Sequence, residues 1–313
     1  MTLRVIIPTA GLGKRLQNLT KDLNKSLITV ANKPVISHII DSFPNSTEYV
    51  IPLGYQAEKV KEFLKLAYPK KIFFFIKISK YKGYGSGLGL TLLKSKKYLQ
   101  KPFIFVSCDT IFKGKIPDLK NNWVGYDNSK LSSSYRKISI KKKIVSNFYR
   151  KNNKSKKINK NYIGLAGIKD FKIFWNHMEK NKLESIPEGE VYGLKKLIPF
   201  GIKSYKFKWY DTGNPTSLSK AKKNIKYYKY NILDKKGETI WFTKDKKVIK
   251  YSSDEKFIRD RVLRQNYLKN YTPKIIKFSK HFYMYNKING KILSKVITPK
   301  KLKNLLNFLK KFW

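Results

Sequence analysis

Apolar residues gather into short dense runs in the first third of the chain, at positions 3–8, 48–53, 72–78 and 102–107. Each run has the length of a strand. Between them, at about 34–43, 57–67 and 86–99, apolar residues recur at three- and four-residue intervals, the spacing of a helix with one buried face. Strands alternating with amphipathic helices predict an α/β fold, three layers deep, with a mostly parallel sheet flanked by helices on both faces. After this regular region comes a very basic, poorly patterned stretch at 136–160.

The chemistry begins where the first strand ends. Leu3, Val5, Ile6 and Ile7 run into Pro8-Thr9-Ala10-Gly11-Leu12-Gly13-Lys14-Arg15, followed by Asn24-Lys25-Ser26-Leu27 and Lys33-Pro34. Two glycines let the backbone approach an anion closely, and Lys14, Arg15 and Lys25 are placed to neutralise it, so the loop suits a polyphosphate. It is not a P-loop, because no Gly-Lys-Ser/Thr closes it, and it is not a dinucleotide fingerprint, because Leu16 stands where the third glycine belongs. A second feature is the run Phe103-Ile104-Phe105-Val106-Ser107-Cys108-Asp109. It reads as a buried central strand with Asp109 at its carboxyl end, the edge at which open α/β sheets bind ligands.

The order Gly-x-Gly-x-Arg, Thr20, Lys25 and Lys33-Pro34 resembles the signature of the sugar-phosphate nucleotidyltransferases, which make nucleoside-diphosphate sugars and related activated headgroups. The segment Trp209-Tyr210-Asp211-Thr212-Gly213-Asn214-Pro215-Thr216 is similar to that family's Trp-x-Asp-x-Gly segment. The resemblance implies a Rossmann-like (GT-A-like) domain. It implies Arg15 and Lys25 as catalytic residues, with Arg15 on the β and γ phosphates and Lys25 between the α-phosphate and the incoming phosphate. Asp109 and Asp211 become ligands of Mg2+, an ion that takes one or two carboxylates together with substrate phosphates and water. Ala10, Gly11, Gly13 and Lys14 would line the nucleotide, and Gly85 and Gly87, in the glycine-rich stretch 83–89, would border its base. On the acceptor side the resemblance points to Gly164 in Asn161–Gly167, to Glu190 with Glu188 as a rival, and to Lys151 or a neighbouring lysine. Two departures touch loop rigidity: Asn18 and Asn24 stand where the family commonly has proline.

The implied reaction needs no protein nucleophile. A phosphate of the acceptor attacks the α-phosphorus of a nucleoside triphosphate in line and pyrophosphate leaves. The attacking phosphate is already an anion, so the protein's work is positioning and positive charge.

Near Lys226 the resemblance ends, in a Lys/Tyr-rich segment containing Tyr227, Tyr228 and Tyr230. We therefore divide the chain into a nucleotidyltransferase domain at 1–228 and a small α+β unit at 229–313. In the second unit a strand at 247–251, a helix at about 256–268 and strands at 273–276 and 282–285 resemble the amino-terminal lobe of the choline kinase and aminoglycoside phosphotransferase group. Lys250 would be its phosphate-meeting lysine. The helix has Glu255 at its start but Arg259, Asp260 and Arg261 in its middle, and no His-x-Asp motif follows. No kinase activity is expected of this chain alone. A remnant, a truncated reading, a docking piece for a separate kinase partner and an unrelated appendage are the open readings of this unit.

Composition sets the surroundings. One cysteine among 313 residues, no evident secretory segment and no apolar run of membrane-spanning length, about 20 residues, lead us to expect a cytoplasmic protein. Cys108 reads as buried filler. A formal charge of +49 with interleaved aromatics raises a rival class, a binder of RNA or of an anionic membrane surface. The lysines, however, are spread over nearly every segment and arginine is scarce, which suggests coding bias and no specific nucleic acid. The reading that results is a Mg2+-dependent transfer from a nucleoside triphosphate to a sugar 1-phosphate for surface polysaccharide precursors. The alternative acceptor is a phosphorylated alcohol, as in a phosphocholine-type cytidylyltransferase.

Overall fold

Each early apolar run becomes a strand in the computed structural model, which describes residues 2–129, 135–150, 160–225, 235–269, 271–291 and 293–310. In chain order come β1 (Arg4–Ile6), a small hairpin of β2 (Thr29–Val30) and β3 (Lys33–Pro34), α1 (Val35–Ile40), β4 (Glu48–Leu53), α2 (Ala57–Ala67), β5 (Phe73–Lys77), α3 (Leu88–Ser95) and β6 (Phe103–Val106). Strands β5, β4, β1 and β6 lie side by side, all parallel. Val5, Ile104 and Val106 join an apolar cluster with Ile36 and Phe63 of α1 and α2, while Ile6, Phe103 and Phe105 join a second cluster with Leu92 of α3. Both sheet faces are covered, which is why these runs are apolar without alternation.

Beyond β6 the expectation of a mostly parallel sheet is corrected. The chain continues through β7 (Thr110–Lys113), β8 (Asn122–Asp127), β9 (Lys137–Lys141), β10 (Ile144–Tyr149), β11 (Lys160–Ile168), α4 (Phe171–Lys180), α5 (Lys182–Glu188), α6 (Glu190–Leu197), β12 (Ile202–Lys206), β13 (Lys208–Asp211) and α7 (Pro215–Asn224). The nine-stranded sheet has the order β5-β4-β1-β6-β11-β8-β12-β10-β9. There β11 is antiparallel to β6, β8 and β9, β10 is antiparallel to β12 and β9, and only β8 and β12 pair in parallel. A parallel neighbour needs a long crossover; β8 and β12 are joined by one that runs through β9–β11 and helices α4–α6, and elsewhere the chain doubles back. The described part of the basic stretch, β9 and β10, is one such reversal. Lys142 and Lys143 take φ of 47° and 66°, the left-handed pair that a two-residue hairpin demands and that Asn-Gly normally announces.

Outside the main sheet, β13 pairs antiparallel with β7 and sets Asp211 opposite Thr110. After α7 the described chain resumes with β14 (Glu238–Phe242), β15 (Lys247–Ser252), α8 (Glu255–Tyr267), β16 (Ile275–Phe278), β17 (Phe282–Asn286) and α9 (Pro299–Leu309), the strands forming an antiparallel sheet in the order β14-β15-β17-β16. Trp241, Ile249, Tyr251, Phe282 and Met284 share an apolar cluster with Phe63 of α2. The Trp241 ring meets Phe63 edge-on at 5.1 Å between centroids. Lys250 lies 3.7 Å from Glu238 on the neighbouring strand, while Glu255 of α8 faces His281 at 3.5 Å. Lys226 and the tyrosines at the expected domain boundary lie outside the described residues. Among the described residues no helix is long and apolar enough to cross a membrane.

Candidate active site

The loop after β1 is held by its side chains. Gly13 has φ 69°, and a Cβ there would sit 3.0 Å from the Thr20 methyl and 3.2 Å from Lys25 Cβ, so only glycine lets the loop close on itself. Leu16 is buried, whereas Lys14 and Arg15 are exposed. Asn24 is fully buried and holds the approach to Lys25: its Nδ2 donates to the carbonyls of Thr9 (2.8 Å) and Tyr55 (2.7 Å), and its Oδ1 accepts from the Ser26 N–H (3.0 Å) and hydroxyl (2.8 Å). Its φ is −65°, the value a proline ring imposes. The rigidity that proline would lend is thus supplied here by four hydrogen bonds.

That loop delivers Lys25 to the carboxyl end of β6. Lys25 Nζ lies 2.9 Å from Asp109 Oδ2, both side chains largely buried, and the more exposed Arg15 guanidinium is 3.9 Å from the same oxygen. Ser107 donates to Asp109 Oδ1 at 2.6 Å. Burial alone would raise the Asp109 pKa; Lys25, the Ser107 hydroxyl and Arg15 outweigh it and hold the carboxyl well below its usual range. Burial likewise opposes the charge on Lys25, but Asp109 reverses the balance and lifts its pKa.

Asp211 arrives from a different part of the chain and is stapled to the first. Thr212 donates to the Asp109 main-chain carbonyl twice, from its N–H and its hydroxyl, both at 2.9 Å. Asp211 Oδ2 accepts from Ser217 (2.6 Å), Asn214 (3.1 Å) and Tyr135 (3.3 Å), and Oδ1 from the Gly213 N–H (3.0 Å). A Cβ on Gly213 would lie 3.1 Å from each of three atoms: Asp109 Oδ2, Asp211 Oδ1 and an Arg15 nitrogen. The two carboxylate oxygens are therefore no farther apart than twice that distance. Asp211 is raised in pKa by burial and by repulsion from Asp109, which its donors only partly offset. Two hard carboxylates facing a common point, one of them short of positive charge, fit a divalent cation. Among the described residues there is no cluster of three or more metal-ligating side chains, so the remaining ligands of such an ion would be substrate oxygens and water.

Beside this centre is a cavity of about 220 Å³ whose walls include Ala10, Gly11, Lys25, Gly87, Leu88 and Ser107. Nothing lies within 4 Å of a Cβ placed on Gly11, whereas a Cβ on Gly87 would strike the Ile186 carbonyl at 2.4 Å and one on Gly89 the Ser185 carbonyl at 1.9 Å. Glycine at 87 and 89 thus answers to the close seat of α3 on α5. Gly85 is not among the residues lining this cavity; it has φ 71° and approaches the Lys80 amine. Cys108 lines it, but burial pushes its thiol up to about 11, and it stays protonated.

On the antiparallel side, β11 breaks register between Tyr162 and Ala166. Gly164 sits there with φ 71°, its carbonyl accepting from Ser107 N–H at 2.8 Å. Glu190, first residue of α6, is buried, and that burial pushes its pKa up to about 7 against the pull of Arg136. Its rival Glu188 is engaged by Lys195 at 2.5 Å and Arg136 at 3.9 Å. Glu188, Lys195 and Arg136 border an open cavity of about 660 Å³ with Arg150 and Lys196 on its wall; Glu190 is not among its lining residues. Lys151 lies outside the described residues. Ser107, Ser217 and Tyr135 all reach the site without having been singled out from the sequence. Only Ser217, at the third position of a helix that Asn214 caps, carries a local pattern that marks it as near Asp211.

No family model matches the chain. It is 29% identical over 245 residues to the Bifunctional protein GlmU of Methanococcus vannielii, an alignment covering 74% of this chain and 56% of that protein. The chain spans about half the length of the curated relatives that it matches over most of its own. Among solved structures, a putative glucose-1-phosphate thymidylyltransferase from Bacillus anthracis superposes with a TM-score of 0.62 at 19% identity, covering 73% of this chain and 98% of that one. The CTP:phosphocholine cytidylyltransferase of Streptococcus pneumoniae superposes at 0.58 and 18% identity, covering 71% and 99%. These structures establish an α/β fold shared with nucleotidyltransferases.

Proposed function

We propose that this chain is a nucleotidyltransferase that joins the nucleotidyl group of a nucleoside triphosphate to a sugar 1-phosphate, releasing pyrophosphate. The observation that carries the reading is the convergence of Lys25, Arg15, Asp109 and Asp211 around Gly213, beside a cavity walled by the β1 loop. An oxygen of the sugar phosphate forms a bond to the α-phosphorus as the bond from that phosphorus to the β-phosphate bridging oxygen breaks, and the electron pair leaves with pyrophosphate. Lys25 neutralises the α-phosphate and the incoming phosphate; Arg15, the more exposed of the two, takes the β and γ phosphates. The base occupies the cavity between Gly11 and Leu88. Asp109 and Asp211 would hold a magnesium ion, which when bound neutralises charge on the triphosphate.

On the acceptor side, Glu190 is a buried carboxyl suited to hydrogen-bond sugar hydroxyls, which supports a polyhydroxylated acceptor over a simple alcohol. Supply of surface polysaccharide precursors is the role we propose for such a product. The test is pyrophosphate release with magnesium across the common nucleoside triphosphates against sugar 1-phosphates and phosphocholine. A productive sugar 1-phosphate pair whose turnover falls about 10²-fold in Lys25→Ala is expected, the scale for losing one preorganised charge. Turnover with phosphocholine alone would replace the acceptor, and wild-type turnover in Lys25→Ala would refute the site.

A further inference from the structure

The carboxyl-terminal sheet has no part in the chemistry above, yet its inner face is applied to the segment that delivers Lys25. Three residues before Lys25, the Asp22 carbonyl accepts from the Tyr251 hydroxyl at 2.7 Å and from Lys59 Nζ at 2.6 Å. Four residues after it, the Thr29 hydroxyl accepts from the Trp241 indole N–H at 2.8 Å and lies 3.2 Å from the Thr239 hydroxyl. In the turn that follows, the Asn32 carbonyl accepts from the Phe242 N–H at 2.9 Å. Thr239 and Trp241 are two apart on β14 and share a face, and Tyr251 pairs with Thr239 across the ladder, so one sheet face presents all three groups. Phe63 of α2 lies against both Trp241 and Phe282, with centroids at 5.1 and 6.3 Å, and fixes where that face sits.

We infer that this sheet is a brace for the catalytic loop, and that Tyr251 and Trp241 are positioning residues that act through the main chain on either side of Lys25. A loop is ordinarily among the least stable parts of a fold and opens locally at low free energy. Here its two flanks are tied to an element more than 200 residues away in sequence, so the position of Lys25 depends on that element being folded and seated. The inference rests on the reading of Lys25 as a substrate-contacting residue only for its effect on turnover; the bracing itself is a mechanical property of the fold.

The experiment is hydrogen exchange of the amides at 20–30 in the full chain, with Tyr251→Phe, Trp241→Phe and, from the loop's side, Thr29→Val. Tyr283→Phe, on the outer face of the same sheet, is the control. Losing one hydrogen bond should raise loop exchange about five-fold, leave β4 and β6 unchanged, and weaken binding of a non-hydrolysable nucleoside triphosphate by a similar factor. The control should do neither. Unchanged loop exchange in all three variants overturns the brace, and so does exchange that rises equally throughout the main sheet, since that reports general destabilisation. If the wild-type chain binds no triphosphate while the loop still loosens in the variants, the brace stands and the nucleotidyltransferase reading fails.

Discussion

Asn24 offers the sharpest test of how the Lys25 loop is held. Its side chain is fully buried and makes four hydrogen bonds, to Thr9, Tyr55 and twice to Ser26. At about 1 kcal/mol net for each bond, less about 1 kcal/mol for ordering a long polar side chain, Asn24→Ala should lose about 3 kcal/mol. The same change frees the residue next to Lys25, and a shift of about 1 Å in a positioning group can lower turnover about 10²-fold. Asn24→Pro separates the two effects. With φ already at −65°, proline fits the backbone and restricts the unfolded chain, regaining about 0.5 kcal/mol while the four hydrogen bonds stay lost. The order expected in urea unfolding is therefore wild type, then Pro, then Ala, with turnover falling less in Pro than in Ala. An alanine variant within 0.5 kcal/mol of wild type and with full turnover would refute the argument, because the loop would then hold its shape without this side chain.

Further outcomes are equally specific. Burial raises the folded-state pKa of Glu190 to about 7 from the ordinary 4.5, so the folded chain binds more protons than the unfolded one between those values. Stability falls as pH rises through that window. Glu190→Gln should match wild type near pH 4 and exceed its stability by about 3 kcal/mol at pH 8, read from denaturant midpoints; parallel curves would show that Glu190 is not desolvated. Gly213→Ala places a methyl 3.1 Å from Asp109 Oδ2 and Asp211 Oδ1. It should lower turnover at least about 10-fold, the scale of a small misplacement at the reacting centre, with a melting temperature near that of wild type. Equal turnover would mean that the space between the carboxylates is not used. Replacing Lys142-Lys143 by Asn-Gly relieves two left-handed lysines and should stabilise the chain by about 1 kcal/mol or more; a loss of stability would contradict the hairpin.

Much of the site was legible because its signals are local. The glycine spacing at 11 and 13, the basic residues at 14, 15 and 25, and an acid at the end of an apolar run each follow from chemistry within a few residues. The structure puts Lys25 on Asp109, and Asp211 beside Asp109 across Gly213. Other readings gave way to longer-range contacts. Gly87 borders the cavity, but the need for glycine there comes from the Ile186 carbonyl, which no feature near residue 87 announces. Asn24 looked like a weakened loop in the sequence, and its rigidity became visible only with Thr9 and Tyr55 beside it. The antiparallel half of the sheet was hidden because its hairpin turns on lysines, a residue type that gives no turn signal.

Residue pattern alone dictates a double-sided apolar sheet in the first third and an anion-handling loop after its first strand. Those properties depend on hydrophobic periodicity and on residue types only a few positions apart. Tertiary structure alone decided that Asp211 meets Asp109, because the pairing of β13 with β7 joins strands about a hundred residues apart. It also decided that the carboxyl-terminal sheet faces the Lys25 loop, because that placement is set by how Trp241 and Phe282 fit against Phe63. Such a fit belongs to the packed shapes of several elements at once, and no single segment encodes it.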